Sequence, residues 1–362
     1  MARNYIGSQD AIRPRPVSQH GKDEQDADQQ EKRTRSVIVL TSRMRFIIAA
    51  GLLTSAALTG CATQSSNVDS GTLTYTRYDG KAGHVIAISP ATGDEIEMTT
   101  GPGVQAHSIA APNGSFIVYS QVDSDGSSIE SLDPANGKVT VLNEGEQWSM
   151  VPSISPDSSR IAFTSDEDGN YEIYSMEADG SDVRQLTFTN PPVQHVGPKF
   201  SPDGTLLLYA SDVDEASPDL FQDLWVMPSD GGPGTRLTTG LDNQESRSWS
   251  PDGTQIVVQT IVDGVGQLVV MDADGSNQRQ ITRIPADTPV FSAPGIFPKM
   301  RGAVTPAWSP SGDWIAFASN HEGNYDIYLI RPNGSDLKRF SSSPEQELSV
   351  GWSPGEIAAT AH

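Results

Sequence analysis

From residue 71 onward the chain alternates short apolar runs with polar turns. Phe116 to Ser120, Arg160 to Ser165, Thr205 to Ser211, Gln255 to Thr260 and Trp314 to Ser319 are each shorter than two helical turns and bounded by turn-forming residues. Such segments predict strands. Further strands follow a polar loop, at Tyr171 to Met176 and Tyr325 to Ile330. Ala178-Asp179-Gly180-Ser181, Ala273-Asp274-Gly275-Ser276 and Pro332-Asn333-Gly334-Ser335 then predict hairpin turns, because Gly takes positive φ without penalty and Asn or Asp tolerates it. A last strand ends in Leu186-Thr187, Leu237-Thr238 or Ile281-Thr282.

This grammar repeats. Ser155-Pro156-Asp157-Ser158, Ser201-Pro202-Asp203-Gly204, Ser250-Pro251-Asp252-Gly253 and Ser309-Pro310-Ser311-Gly312 open successive units, with first residues 46, 49 and 59 apart. Ala111-Pro112-Asn113-Gly114 lies 44 before the first and Ser353-Pro354-Gly355 lies 44 after the last. Four strands per unit at this period predict an all-β fold, a six-bladed β-propeller of four-stranded blades. The large residue before most openings, Ile154, Phe200, Trp249, Trp308 or Trp352, is expected to pack between neighbouring blades. Gly71 to Thr76 reads as the second strand of a blade whose innermost strand is supplied by Leu348 to Ser353, so that a C-terminal strand closes the ring. Glu356 to Thr360 reads as one further strand, an added edge or the start of a truncated seventh blade.

Composition agrees: 33 Gly and 25 Pro with 36% hydrophobic residues suit many short strands. The net charge is -22, and from Cys61 onward 40 acidic residues face 15 basic ones. Nucleic acid is therefore not an expected partner. Solubility accounts for the acidity, and steering of a basic partner is the sharper alternative.

The single cysteine excludes an intramolecular disulfide and a cysteine-based zinc cluster. Met44-Arg45 precedes an apolar stretch from Phe46 to Gly60, about 15 residues where a membrane span needs about 20. That is the layout of a secretory signal. Leu58-Thr59-Gly60-Cys61 resembles the lipobox of bacterial lipoproteins. The resemblance implies cleavage before Cys61, lipidation of its sulfur and acylation of the new amino group, several chains together giving stable anchoring. The expected organisation is 1–43, a disordered extension or mis-assigned start; 44–60, a lipoprotein signal peptide; 61–70, a tether; and 71–362, the propeller. Ala62, where an inner-membrane lipoprotein carries Asp, implies the periplasmic side of the outer membrane in a Gram-negative host.

The units resemble the WD40-like (PD40) repeats of the TolB-like propeller family. Ile161-Ala162-Phe163-Thr164-Ser165, Gly169-Asn170-Tyr171-Glu172-Ile173-Tyr174 and Leu186-Thr187 carry the likeness in one unit; Ile315-Ala316-Phe317-Ala318-Ser319 and Gly323-Asn324-Tyr325-Asp326-Ile327-Tyr328 carry it in another. It implies the fold over roughly residues 71 to 360. For function it implies less, because such blades also occur in peptidase propellers and pectate-degrading lyases. The family's soluble periplasmic member has an α/β domain ahead of its propeller and binds a peptidoglycan-associated lipoprotein; here only a short linker separates Cys61 from the first blade.

No residue is read as catalytic, and no cofactor or metal is expected. Gly351-Trp352-Ser353-Pro354-Gly355 spells a nucleophile elbow, but Ser353 occupies the repeat's Ser-Pro slot and only His362 follows. Asp123 with Asp125, and Asp166 with Asp168 and Asn170, partly resemble calcium loops, yet lack the full ligand spacing and read as surface turns. By repeat register the channel mouth should include His107, Trp148, His195, Gln244, Glu245, Arg247 and Glu347, a mixture suited to a peptide or glycan. Phe291, Ile296, Phe297 and Met300 lie in the longest inter-blade segment and form a candidate contact loop; the acidic segment Asp212 to Asp223 is weaker. The leading expectation is a non-enzymatic, monomeric binding scaffold, tethered to the membrane by its lipid and recognising an envelope protein or peptide in a possible Tol-type role. The alternatives are a lyase-like polysaccharide enzyme with a channel metal, and a purely structural envelope component.

Overall fold

The computed structural model describes residues 70–143, 147–191, 193–212, 222–239, 246–293 and 297–357. Cys61 and the segments assigned to extension and signal lie outside them. Every element among the described residues is a strand. Four separate four-stranded sheets begin at the inner strands Ser149–Ile154, His195–Phe200, Arg247–Trp249 and Ala303–Trp308. The other two repeats share an eight-stranded sheet, in which the run closed by Gln346–Ser353 and the run starting at Val104–Ala110 meet at one parallel pair, Gly83 with Val104. The segment of Phe291 adds a two-stranded hairpin, Phe291–Ala293 with Phe297–Met300.

The middle strands do not alternate in burial. Ile315–Ser319 and Asp326–Ile330 are buried at every position, as expected where both faces of a sheet are covered. What covers them is the next sheet. Six apolar clusters each draw on consecutive repeats: Leu142 with Phe163 and Met176, Leu208 with Trp249 and Ile256, Leu268 with Trp308 and Phe317, and, between last and first repeats, Ile327 with Tyr75 and Trp352. Ile154, Trp249, Trp308 and Trp352 thus pack between sheets, and Phe200 leans on such a cluster. Several outer strands are two residues long and carry Arg184, Arg236, Arg279 or Lys338, which discourages further edge pairing.

Each motif residue has a local task. In the opening turns Ser155, Ser201 and Ser250 donate through Oγ to the Asp two residues on, at 2.6 Å, and accept the N–H of the residue five on at 2.9 to 3.0 Å. The fourth position takes φ of +72° at Gly114, +74° at Gly204 and +71° at Gly253, but at +62° the chain has Ser158. A side chain there costs about 1 kcal/mol, partly offset because Ser158 Oγ accepts the Asn113 N–H at 3.3 Å. Ser158→Gly should therefore raise stability by about 0.5 kcal/mol in urea unfolding; a loss of that size would show the Asn113 bond to be the larger effect. The Leu-Thr ending has its own role. Thr99, Asn143, Thr187, Thr238, Thr282 and Ser341 each accept the N–H of the residue 14 positions earlier, fastening the outer segment to the third strand.

The closing strand Gln346–Ser353 pairs antiparallel with Thr72–Tyr78, Thr72 opposite Ser353 and Tyr78 opposite Gln346. The expected further strand after Ser353 is not formed over Pro354 to Ile357. Thr72 Oγ1 instead donates to the Gly355 carbonyl (2.8 Å) and accepts the Ile357 N–H (3.2 Å), holding this segment as a loop. Residues 358–362 lie outside the described residues.

Candidate functional site

The inner strands share an irregularity. Pairing with the second strand slips between Ala106 and Ile109, Met150 and Ser153, Val196 and Lys199, and Val304 and Ala307, and again opposite Thr74 and Thr76. At each slip one residue takes positive φ: His107, Val151, Gly197, Thr305 and Ser349. A bulge breaks the two-residue period and re-aims the side chains around it. The bulged residues and their neighbours from all six inner strands enclose a cavity of about 110 Å³. Its charged lining is basic, with His107, Lys199 and Arg247 contributed by three different strands.

These groups sit close enough to affect one another. Burial, reinforced by the positive charge of Arg247, lowers the Lys199 ammonium to about 8. Burial and then Lys199 lower His107 to about 4, so its imidazole is neutral at pH 7. Arg247 is 2% exposed and donates through Nη1 to the Val196 carbonyl at 3.2 Å. A larger cavity of about 330 Å³ lies among the opening turns of two consecutive repeats, but its charges are engaged: Arg160 with Glu177 and Asp182, Arg184 with Asp182, Asp157 with Ser155, and Asp203 with Ser201.

Of the residues expected at the mouth, the structure brings His107 and Arg247 together in the inner cavity. Gln244 and Glu245 lie outside the described residues. Trp148 does not line this cavity; its N–H donates to Asp166 Oδ1 at 2.7 Å and it bridges to Ser127. His195 is turned into its own sheet, with Nδ1 3.2 Å from Glu172 Oε2 and its ring edge-on to Tyr209. Glu347 is buried against Arg77 and Ser341, and burial pushes its carboxyl up despite both partners. The reason is shared: an acid or amide here, like Glu172, Asp223, Gln267 or Glu347, accepts the hydroxyl hydrogen of the Leu-Thr position. Phe291 stacks edge-on against Tyr325, and Met300 packs on the same cluster; Ile296 and the side chain of Phe297 lie outside what is described.

His107 and His195 are thus held in different surroundings, and the described residues contain no group of three or more His, Cys, Asp or Glu able to hold a metal. Asp166 and Asp168 accept bonds from Trp148, Asn170 and Gln185, as turn residues do. Ser353 ends the closing strand, buried, with Oγ accepting the Gly355 N–H. The buried acid Glu172 is also a pH-sensitive element. Burial works against its charge, but bonds from His195, Thr187 and Thr189 outweigh it and bring the carboxyl down to about 2. Its stabilising contribution is fully present above the unfolded value and is lost as pH falls from about 4.5 toward about 2. Glu172→Gln should cost about 2 kcal/mol at pH 7 and flatten the acid limb of a stability-versus-pH curve measured by urea titration.

Sequence reasoning missed Lys199. The position two before the opening serine reads Ile109, Ser153, Lys199, Ser248, Ala307 and Gly351, and Lys199 is its one charge. Reading that column across repeats would have found it.

Comparison with known proteins bears on the same fold. Residues 61–217 match the family model described as TolB beta propeller domain. An uncharacterized protein of Agrobacterium fabrum is 30% identical over 218 residues, 60% of this chain and 66% of the relative. Tricorn protease homolog 1 of Streptomyces coelicolor is 27% identical over 232 residues, 51% of this chain but 20% of that protein. The crystal structure of TolB from Acinetobacter baumannii superposes with a TM-score of 0.63 at 17% identity, covering 78% of this chain and 66% of TolB, a likeness of fold. Each match therefore spans under two thirds of the other protein's length.

Proposed function

Because the chain carries a TolB β-propeller domain, we propose that it is a binding scaffold of the cell envelope that recognises a protein or peptide through the propeller channel. We read the eight-stranded sheet as two blades in edge contact, which makes six blades with the four separate sheets. One observation carries the binding assignment. All six inner strands contribute to a single cavity whose basic side chains are not partners in the motif bonds that hold the blades. A ligand site at the convergence of repeats, concave and partly apolar with a few aimed polar groups, is the usual arrangement. The lipobox at Leu58 to Cys61 supports attachment to the membrane through a lipid, and with it an extracytoplasmic location.

The test is photo-crosslinking in intact envelopes, with the reactive residue at Thr305 in the channel or, as control, at Val139 on an exposed outer strand. A specific envelope protein captured from Thr305 and not from Val139 is the expected result. Equal capture from both positions sinks the channel reading. In the same cells Cys61→Ala should move the protein from the membrane to the soluble fraction; retention in the membrane sinks the lipid anchor.

A further inference from the structure

We propose that the channel cavity binds a carboxylate of an acidic peptide, seated against Lys199 and within reach of His107 and Arg247. The inference rests on the channel reading above and deepens it by naming the chemistry of the ligand. The argument begins with charge. The protein as a whole carries -22, yet the only charged or titratable side chains on the described lining of this cavity are His107, Lys199 and Arg247. Elsewhere the structure sets cations against its buried acids: Asp223 meets Arg236, Asp326 meets Arg339, and Glu347 meets Arg77. Lys199 forms no ion pair among the described residues. A partly buried ammonium beside a buried guanidinium is a costly arrangement that an anion relieves.

A second observation points the same way. His107 Nδ1 is buried without a hydrogen-bond partner, although the strained bulge fixes the ring at the cavity wall. A neutral imidazole offers one N–H, and a carboxylate oxygen is the acceptor the wall does not supply. The depressed protonation of Lys199 and His107 by burial and by their basic neighbours agrees with a site assembled for a negative guest. Size and lining choose among guests. About 110 Å³ accommodates a side chain or a chain end, and Ile109, Val151, Val350 and Trp352 offer apolar surface to methylene groups. That combination fits a glutamate-like group better than a hydroxyl-bearing sugar acid.

The experiment uses the full chain purified in detergent and calorimetric titration with three probes: N-acetylglutamate, its uncharged counterpart N-acetylglutamine, and galacturonate. N-acetylglutamate should bind, and N-acetylglutamine should bind at least about tenfold more weakly, the value of one charge-assisted contact. Lys199→Met should weaken N-acetylglutamate by about tenfold. Affinity should also fall between about pH 6.5 and about pH 9.5, because on the described walls from all six inner strands only Lys199 changes charge in that interval. Equal binding of the two glutamyl probes overturns the proposal, and so does galacturonate binding as tightly as N-acetylglutamate, which would make this a sugar-acid site. Should Lys199→Met fail to fold, the two glutamyl probes on the native protein still decide. Failure here alongside successful crosslinking from Thr305 would remove the carboxylate and leave the channel as the binding site.

Discussion

Gly71→Ala should cost about 4 kcal/mol, while Gly80→Ala should cost about 1 kcal/mol, although both glycines hold φ of +94°. The backbone penalty of a side chain at this angle is the same at the two sites. The surroundings differ. A Cβ on Gly80 meets nothing within 4 Å, whereas on Gly71 it would lie 2.2 Å from the Ser353 carbonyl oxygen and 3.3 Å from Pro310. Ser353 is backbone in the closing strand, so it can give way only by separating from Thr72, its partner in the register. The excess cost at Gly71 therefore measures the closure itself. Urea unfolding of both variants, with hydrogen exchange at Leu348 to Ser353, checks it. Equal losses would show that the closing pair contributes little.

Arg77→Met should cost about 3 kcal/mol at pH 7, the usual consequence of stripping a buried charge of its partner. Arg77 and Glu347 are directly opposite each other in the closing pair, with Nη2 3.1 Å from Oε1 and Glu347 only 1% exposed. Burial already raises the Glu347 carboxyl against the pull of Ser341 and Arg77. Without Arg77 the folded value rises further above the unfolded one of about 4.3. The deficit should then be full at neutral pH and shrink as pH falls toward about 4, because the folded chain takes up the proton first. Arg77→Met combined with Glu347→Leu should recover most of the loss, since an apolar pair has no charge to strand. A double variant no more stable than Arg77→Met alone would show that Arg77 acts mainly through its other partner, Glu95.

The fold was legible because its motif residues act on neighbours near in sequence. Ser201 bonds Asp203 and Leu206, and Thr187 caps Ile173, so spacing alone carries the signal. The closing strand was legible for a related reason: Trp352 repeats the slot of Trp308 and Trp249. The separation of the first two repeats was not, since the Gly83 and Val104 contact depends on how two edges meet in space. Nor was the loop after Ser353, which is set by Thr72, 283 residues away from Gly355. The site was half legible. Register placed His107 and Arg247 correctly, but it could not tell that Glu172 and the Leu-Thr hydroxyl hold the surroundings of His195, or that Arg77 claims Glu347. Lys199 was passed over because it precedes the conspicuous Phe200-Ser201-Pro202 and has no fixed residue type in the other repeats.

The recurrent bulge of the inner strands separates two sets of instructions within one repeat. Serine, aspartate, leucine and threonine at fixed places specify the architecture, while His107, Val151, Thr305 and Ser349 face the bore from positions the ladder has released. Their variety, one imidazole, one aliphatic and two hydroxyls at equivalent places, shows how little the architecture asks of them. A ring so constructed can be re-addressed to a new guest one residue at a time, its walls rewritten while its masonry stands.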